Sequence, residues 1–106
     1  MTVVPRALDI GPHRYRVALV PDGVLSDAGR VGQCSPERLV IALCEGQAPT
    51  QLADSLIHEG IHAILRTMDL EKEVEESICL TVAPGFLAML HDNPDLVAFL
   101  MSTKEK

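Results

Sequence analysis

The stretch "SLIHEGIHAILRTMDLEKEVEESICL", residues 55–80, places two histidines four positions apart and a cluster of glutamates behind them. Apolar residues recur at steps of three and four over residues 52–68, a period that predicts an amphipathic helix. Thr50 is the expected N-cap of this helix. His58 and His62 then stand on one face, a single turn apart. The stretch therefore predicts a helix that presents two imidazoles on the same side.

The pentapeptide His58-Glu59-Gly60-Ile61-His62 fits the pattern H-E-x-x-H. Two imidazoles with this spacing can both reach one zinc ion, at about 2.0–2.1 Å each. Glu59 lies one step round the helix, where it can reach a water on the metal and act as a general base. The competing interpretation is an amphipathic core helix with partly exposed histidines and no metal.

A catalytic zinc site needs a third protein ligand and one open position. The acidic cluster Glu71, Glu73, Glu75 and Glu76 lies much nearer to the motif than His91 does. Most of this cluster also fits a solvated first helical turn, where carboxylates are favourable. Glu75 and Glu76 each lead an apolar stripe, and a carboxylate aimed at a core requires a metal or a cation. Spacing alone leaves these two glutamates tied as the third ligand.

The first half of the chain predicts strands and the second half predicts helices. Residues 15–20 and 38–44 are rich in apolar and β-branched side chains, and a short extended piece covers residues 31–34. The turn signals Pro21-Asp22-Gly23 and Ser35-Pro36-Glu37 separate them. These connections are too short for helical crossovers, so we expect a small, mainly antiparallel sheet. Strands followed by helices indicate an α+β fold.

Two further helices are expected after the first. The second starts near Leu70, and Pro84 should kink it or break it, since proline lacks a backbone donor. The third begins after Asn93, an N-cap residue, with Pro94 at the favoured first position. The polar tail, about residues 102–106, is expected to fray.

Length and charge restrict the class of protein. A chain of 106 residues is enough for one domain, residues 1–106. Its net charge of −6 argues against a nucleic-acid or anionic-membrane partner, which requires clustered Lys and Arg. No signal peptide is visible at the start and no apolar run is long enough to span a bilayer, so we expect a cytoplasmic protein. Cys34, Cys44 and Cys79 form no C-x-x-C pair and are interpreted as small buried thiols.

Four segments give the chain a family resemblance along nearly its whole length: "IGPHRYRVALV", "RLVIAL", "LADSLIHEGIHAIL" and "LHDNPDLVAFL". Together they resemble the small zincin-like metallopeptidases of bacteria and their phages, of the H-E-x-x-H…Glu (gluzincin) kind, distantly akin to ImmA/IrrE-type proteases. The resemblance implies a minimal zincin that hydrolyses a peptide or protein substrate with Zn²⁺. It also implies that His58, His62 and Glu76 bind the metal and that Glu59 is the catalytic base.

The chain departs from this family where relatives often carry a tyrosine, since it has Leu87 there. In many zincins a Tyr or His stabilises the oxyanion. Tyr15 is the single tyrosine, and it is either the group that stabilises the oxyanion or an ordinary packing residue of the sheet. His13 and His91 are expected at the surface. Besides a peptidase, we consider a non-catalytic, zinc-stabilised binding protein of phage or prophage origin, and a metal-free helical packing module.

Overall fold

The computed structural model describes residues 4–21, 24–25, 30–66 and 68–103. Its elements confirm an α+β fold, with the strands preceding the helices. In chain order they are β1 (Ala7–Ile10), β2 (His13–Val20), β3 (Gly32–Ser35), β4 (Val40–Cys44), α1 (Pro49–Leu65), α2 (Lys72–Asp92) and α3 (Pro94–Ser102). Asp22 and Gly23 of the first expected turn, and residues 104–106 of the expected frayed tail, lie outside the described residues.

The four strands form one mixed sheet in the order β1-β2-β4-β3. Two of its three pairings are antiparallel, as expected: β1 with β2 and β3 with β4. The central pairing, of β2 with β4, is parallel, and here the antiparallel expectation is wrong. The reason is that β3 lies at the outer edge of the sheet, beyond β4. The antiparallel hairpin of β3 and β4 then places β4 beside β2 in the same direction.

The strand boundaries differ slightly from the predicted ones. β2 begins at His13 and is preceded by β1, which the residue pattern did not single out. The two strands are joined at Gly11, whose φ of +58° favours glycine. β4 begins at Val40, because residues 36–39 form a turn in which Leu39 adopts a φ of 55°.

The core lies between the sheet and α1. Tyr15, Ile41, Leu43 and Ala63 form the buried cluster, and Ile41 and Leu43 have no exposed surface. These residues come from β2, the centre of β4 and the sheet-facing side of α1. One face of α1 therefore packs on the sheet, and another face of α1 packs against α2.

The helix ends show two differences from expectation. The N-cap of α1 is Ala48, not Thr50, with Pro49 in the first turn. The Gln51 side chain accepts the Ala48 N–H at 3.3 Å, so a side chain inside the helix caps the chain before it. α3 does begin after Asn93, as expected. The side-chain amide of Asn93, however, donates to the Met89 carbonyl at 2.8 Å, so it caps the C-terminal end of α2 and not the start of α3.

Pro84 does not divide α2, which runs as one helix from Lys72 to Asp92. Pro84 is exposed, whereas Cys79 and Ala83 are buried. The proline ring therefore points away from the core, and the buried face of the helix stays intact. Among the described residues, no helix combines the length and the apolar character needed to cross a membrane.

Candidate metal centre

The packing of α1 against α2 brings the two histidines of α1 opposite the first turns of α2. His58 and His62 stand one turn apart, as the motif predicts, with ring centroids 5.0 Å apart and ring planes at 61°. Both side chains are mostly buried, at 16% and 21% exposed. Their orientation is therefore set by the helix pair rather than by solvent.

One carboxylate oxygen meets both imidazoles. Glu76 Oε1 lies 3.1 Å from His58 Nε2 and 2.8 Å from His62 Nε2. The Glu76 side chain is about half exposed, so it reaches the histidines from the solvent side. Two ring nitrogens and one carboxylate oxygen thus converge on a single point.

A fourth donor joins this group. Cys79, one turn beyond Glu76 in α2, is completely buried. One ligand atom from each of His58, His62, Glu76 and Cys79 can be chosen so that all lie within 4.8 Å of one another. The group is therefore compatible with a bound metal ion. Sequence reasoning missed Cys79 at this site, although its i,i+3 spacing from Glu76 puts both on one helix face.

The two glutamates that spacing left tied occupy different positions. Glu75 Oε2 lies 2.5 Å from His62 Nδ1, the ring nitrogen that faces away from Glu76. Glu75 is also less exposed than Glu76, at 26% against 48%. In the described structure Glu76 is near the Nε2 atoms of both histidines, whereas Glu75 has a hydrogen-bonding contact with His62 alone.

Glu59 points from α1 toward the edge strand β3. It is 8% exposed, and a Cβ added to Gly32 would lie only 3.1 Å from Glu59 Oε2. The absence of a side chain at Gly32 therefore makes room for this carboxylate. Burial raises the pKa of Glu59, and the nearby His58 and His62 only partly oppose that rise.

The close approach of carboxylates and imidazoles shifts the pKa values of two further groups. Burial alone would lower the pKa of His62, but hydrogen bonds with Glu75 and Glu76 outweigh it and raise that pKa. Burial alone would raise the pKa of Glu76, but the hydrogen bond with His62 and the charge on His58 lower it. Without a cation, the cluster thus favours a proton on His62 opposite an ionised Glu76.

The Cys79 thiol, in contrast to the charged His62 and Glu76, favours its neutral form. Burial, together with the negative charges of Glu76 and Glu75, raises the pKa of Cys79 to about 12. In the metal-free protein it is therefore a neutral thiol. A thiolate at this position requires a neighbouring cation.

Of this group, His58, His62 and Glu76 line a cleft of about 800 Å³ between β3, α1 and the first half of α2. His58, Glu59 and Glu76 all border it, so the candidate ligands and the candidate base share one space. The cleft is also lined by three basic residues, Arg30, Arg66 and Lys72.

The other residues weighed as functional lie elsewhere. Tyr15 is 1% exposed in the core and does not line the cleft, which confirms sheet packing; its hydroxyl has no hydrogen-bond partner among the described residues. His13 and His91 are exposed, at the start of β2 and in the last turn of α2, as expected.

No family model, curated protein or solved structure matches this chain. The zincin-like resemblance therefore stays a prediction from the sequence motifs.

Proposed function

We propose that this protein is a zinc-dependent metallopeptidase-like hydrolase. The observation that supports this most is the convergence of His58 Nε2, His62 Nε2 and Glu76 Oε1, with the buried Glu59 carboxylate in the same cleft. Imidazole nitrogen and carboxylate oxygen are donors that zinc prefers, and a His₂Glu set is typical of zinc peptidases. The donor set therefore fits the ion that the H-E-x-x-H motif predicts.

In this proposal His58, His62 and Glu76 hold the zinc. When bound, the ion supplies Lewis acidity and lowers the pKa of water toward about 7. Glu75 holds His62 through Nδ1, which fixes the tautomer that leaves Nε2 free for the metal. The short contact thus gives Glu75 a positioning role.

Glu59 is the general base of the proposed reaction. Its carboxylate takes a proton from the attacking water and delivers it to the amine that leaves. A general base works best when its pKa lies near the operating pH, and burial moves the pKa of Glu59 in that direction. Gly32 keeps the carboxylate at the cleft because no side chain displaces it.

The free edge of β3 is the proposed place for an extended peptide. Among the described residues β3 is one of the two edge strands of the sheet, and it borders the cleft. The Cys44 N–H donates to the Val31 carbonyl at 2.9 Å, so by antiparallel alternation the backbone groups of Gly32 and Cys34 point outward. A substrate strand can pair with them, which is a common mode of peptide recognition.

The alternative is a non-catalytic, zinc-stabilised binding protein. The observation that favours it is the buried Cys79, since a fourth protein donor is typical of closed, structural zinc sites. Peptide hydrolysis distinguishes the two.

The test is Glu59→Gln, which keeps the size of the side chain and removes its basicity. We expect wild-type protein loaded with zinc to cleave members of a broad peptide library, and the variant to keep its zinc and lose about 10²–10⁴-fold in rate. Glu73→Gln, an exposed change in the first turn of α2, is the matched control. Full activity in Glu59→Gln, or no cleavage by the wild type across the library, would reject the peptidase.

A further inference from the structure

We propose that Cys79 is a fourth ligand of the same ion, so that the resting site is closed, with donors from two histidines, one glutamate and one thiolate. This inference rests on the proposed zinc binding and concerns its regulation. Nothing in the H-E-x-x-H motif calls for a thiol, and the spacing of the three cysteines gives no zinc signature. The position of the Cys79 side chain is what brings a thiol to the histidines.

The geometry of the four donors carries this inference. Their ligand atoms lie within 4.8 Å of one another. Zinc with bonds of roughly 2.0–2.3 Å in a tetrahedron separates its ligand atoms by roughly 3.3–3.8 Å. The separations of Glu76 Oε1 from the two histidine nitrogens, 2.8 Å and 3.1 Å, are below that range, and no separation in the group exceeds it by more than about 1 Å. An ion therefore needs only a small adjustment of these side chains to reach all four.

The position of Cys79 within α2 supports the same conclusion. Glu76 and Cys79 are three positions apart, so both face α1 from the same side of the helix. Cys79 is 0% exposed, whereas Glu76 is about half exposed. The carboxylate thus covers the histidines from solvent, and the sulfur approaches from the interior.

The chemistry of the thiol is consistent with a ligand that binds only together with the ion. On coordination the S–H bond breaks, a zinc–sulfur bond forms, and the proton passes to solvent. No oxidant or reductant takes part.

A closed tetrahedron changes what Glu59 can do. With four protein donors there is no open position for water, so the carboxylate has no proton to take. Catalysis then requires Cys79 to leave the ion, and its removal should raise activity while weakening the hold on the metal. The site is latent in its resting form, and the wild type cleaves peptides only through the fraction of molecules in which Cys79 has left the ion.

The test uses X-ray absorption of the zinc-loaded full chain and the visible and near-ultraviolet spectrum of the Co²⁺-loaded chain. We expect one zinc–sulfur distance of about 2.3 Å and a thiolate-to-cobalt charge-transfer band. Both signals should vanish in Cys79→Ser and persist in Cys34→Ser, whose thiol borders the same cleft. Cys79→Ser should also release zinc faster to a chelator and cleave peptides faster than wild type.

The outcomes separate this inference from the proposed function. Zinc bound by nitrogen and oxygen alone in the wild type overturns the role of Cys79 and leaves the peptidase intact. A sulfur signal that persists in Cys79→Ser and is lost in Cys34→Ser assigns the ligand to the other cysteine and also overturns it. Absence of bound zinc in the wild type overturns both. If Cys79→Ser fails to fold, the spectra of the wild type and of Cys34→Ser still test the proposal, because a sulfur signal absent from the wild type or lost in Cys34→Ser overturns it.

Discussion

Glu75 Oε2 lies 2.5 Å from His62 Nδ1, while Glu76 Oε1 lies 2.8 Å from Nε2 of the same ring. Two adjacent glutamates of α2 therefore contact opposite nitrogens of one imidazole. Adjacent helical residues point about 100° apart, so the two carboxylates can approach the ring from different sides. This arrangement distinguishes Glu76, a candidate metal ligand, from Glu75, which contacts the opposite nitrogen of His62 and orients that ring in the proposed site.

The first prediction separates these two roles. Glu76→Ala should abolish stoichiometric zinc binding, because it removes a donor. Glu75→Gln should retain one zinc but weaken its affinity by about 10–100-fold, the usual effect of losing a partner that orients a ligating histidine. Competition with a chromophoric chelator measures both. Full zinc in Glu76→Ala together with loss in Glu75→Ala would show that the two roles are exchanged.

The second prediction concerns the coupling of metal binding to folding. The ligands come from α1 and α2, so an ion joins two elements that the unfolded chain does not hold together. At a free zinc concentration 100-fold above the dissociation constant, the stabilisation is about 2.7 kcal/mol. In a domain of this size, chelation should then lower the melting temperature by about 10 °C or more. An unchanged melting curve after verified zinc removal would contradict this expectation.

The third prediction tests the place of Glu59. Gly32→Ala puts a methyl group 3.1 Å from Glu59 Oε2 and 3.3 Å from Leu43 Cδ2, so the carboxylate must move. We expect hydrolysis to fall by at least about tenfold, since a small misplacement of a catalytic group is costly, while the zinc content stays unchanged. The control is Gly85→Ala, where the added atom meets nothing within 4 Å. Equal activity in the two variants would argue against a catalytic position for Glu59 beside β3.

The fourth prediction is a pH dependence of the metal-free fold. The raised pKa of His62 stabilises the fold below its usual value of 6.5, and this contribution is lost as pH rises through the folded value. The lowered pKa of Glu76 stabilises it above its usual value of 4.5, and this contribution is lost as pH falls through the folded value. Both contributions are present together between these two usual values.

Glu76→Gln should therefore destabilise the metal-free protein most between pH 4.5 and 6.5, with a smaller difference on either side. Urea unfolding in the presence of a chelator at several pH values measures this difference. The control Glu73→Gln should show no such maximum. A difference between wild type and Glu76→Gln that does not vary with pH would contradict the ion-paired cluster.

Local signals predicted much of this molecule. The apolar period placed α1 correctly and put His58 and His62 on one face, because helical geometry depends on spacing alone. The α+β order followed in the same way. The parallel pairing of β2 with β4 did not follow, because it depends on where β3 lies, and strand partners are set by tertiary packing.

The site was predictable only in part for a similar reason. Glu75 and Glu76 both lie on inward-leaning sides of α2, and the rotation of α2 against α1 decides which nitrogen each one meets. Cys79 carries no zinc signature in the sequence and becomes a candidate only when two helices bring it to the histidines. Pro84 predicts a disrupted helix from its chemistry, but its exposed position allows α2 to continue.

The most direct test of the central claim is anomalous X-ray diffraction at the zinc edge from crystals of the full chain grown with one equivalent of zinc. We predict a single strong anomalous peak about 2.0–2.2 Å from His58 Nε2, His62 Nε2 and a Glu76 carboxylate oxygen. A map with no peak at these residues, or with zinc only at the exposed His13 or His91, would contradict the account.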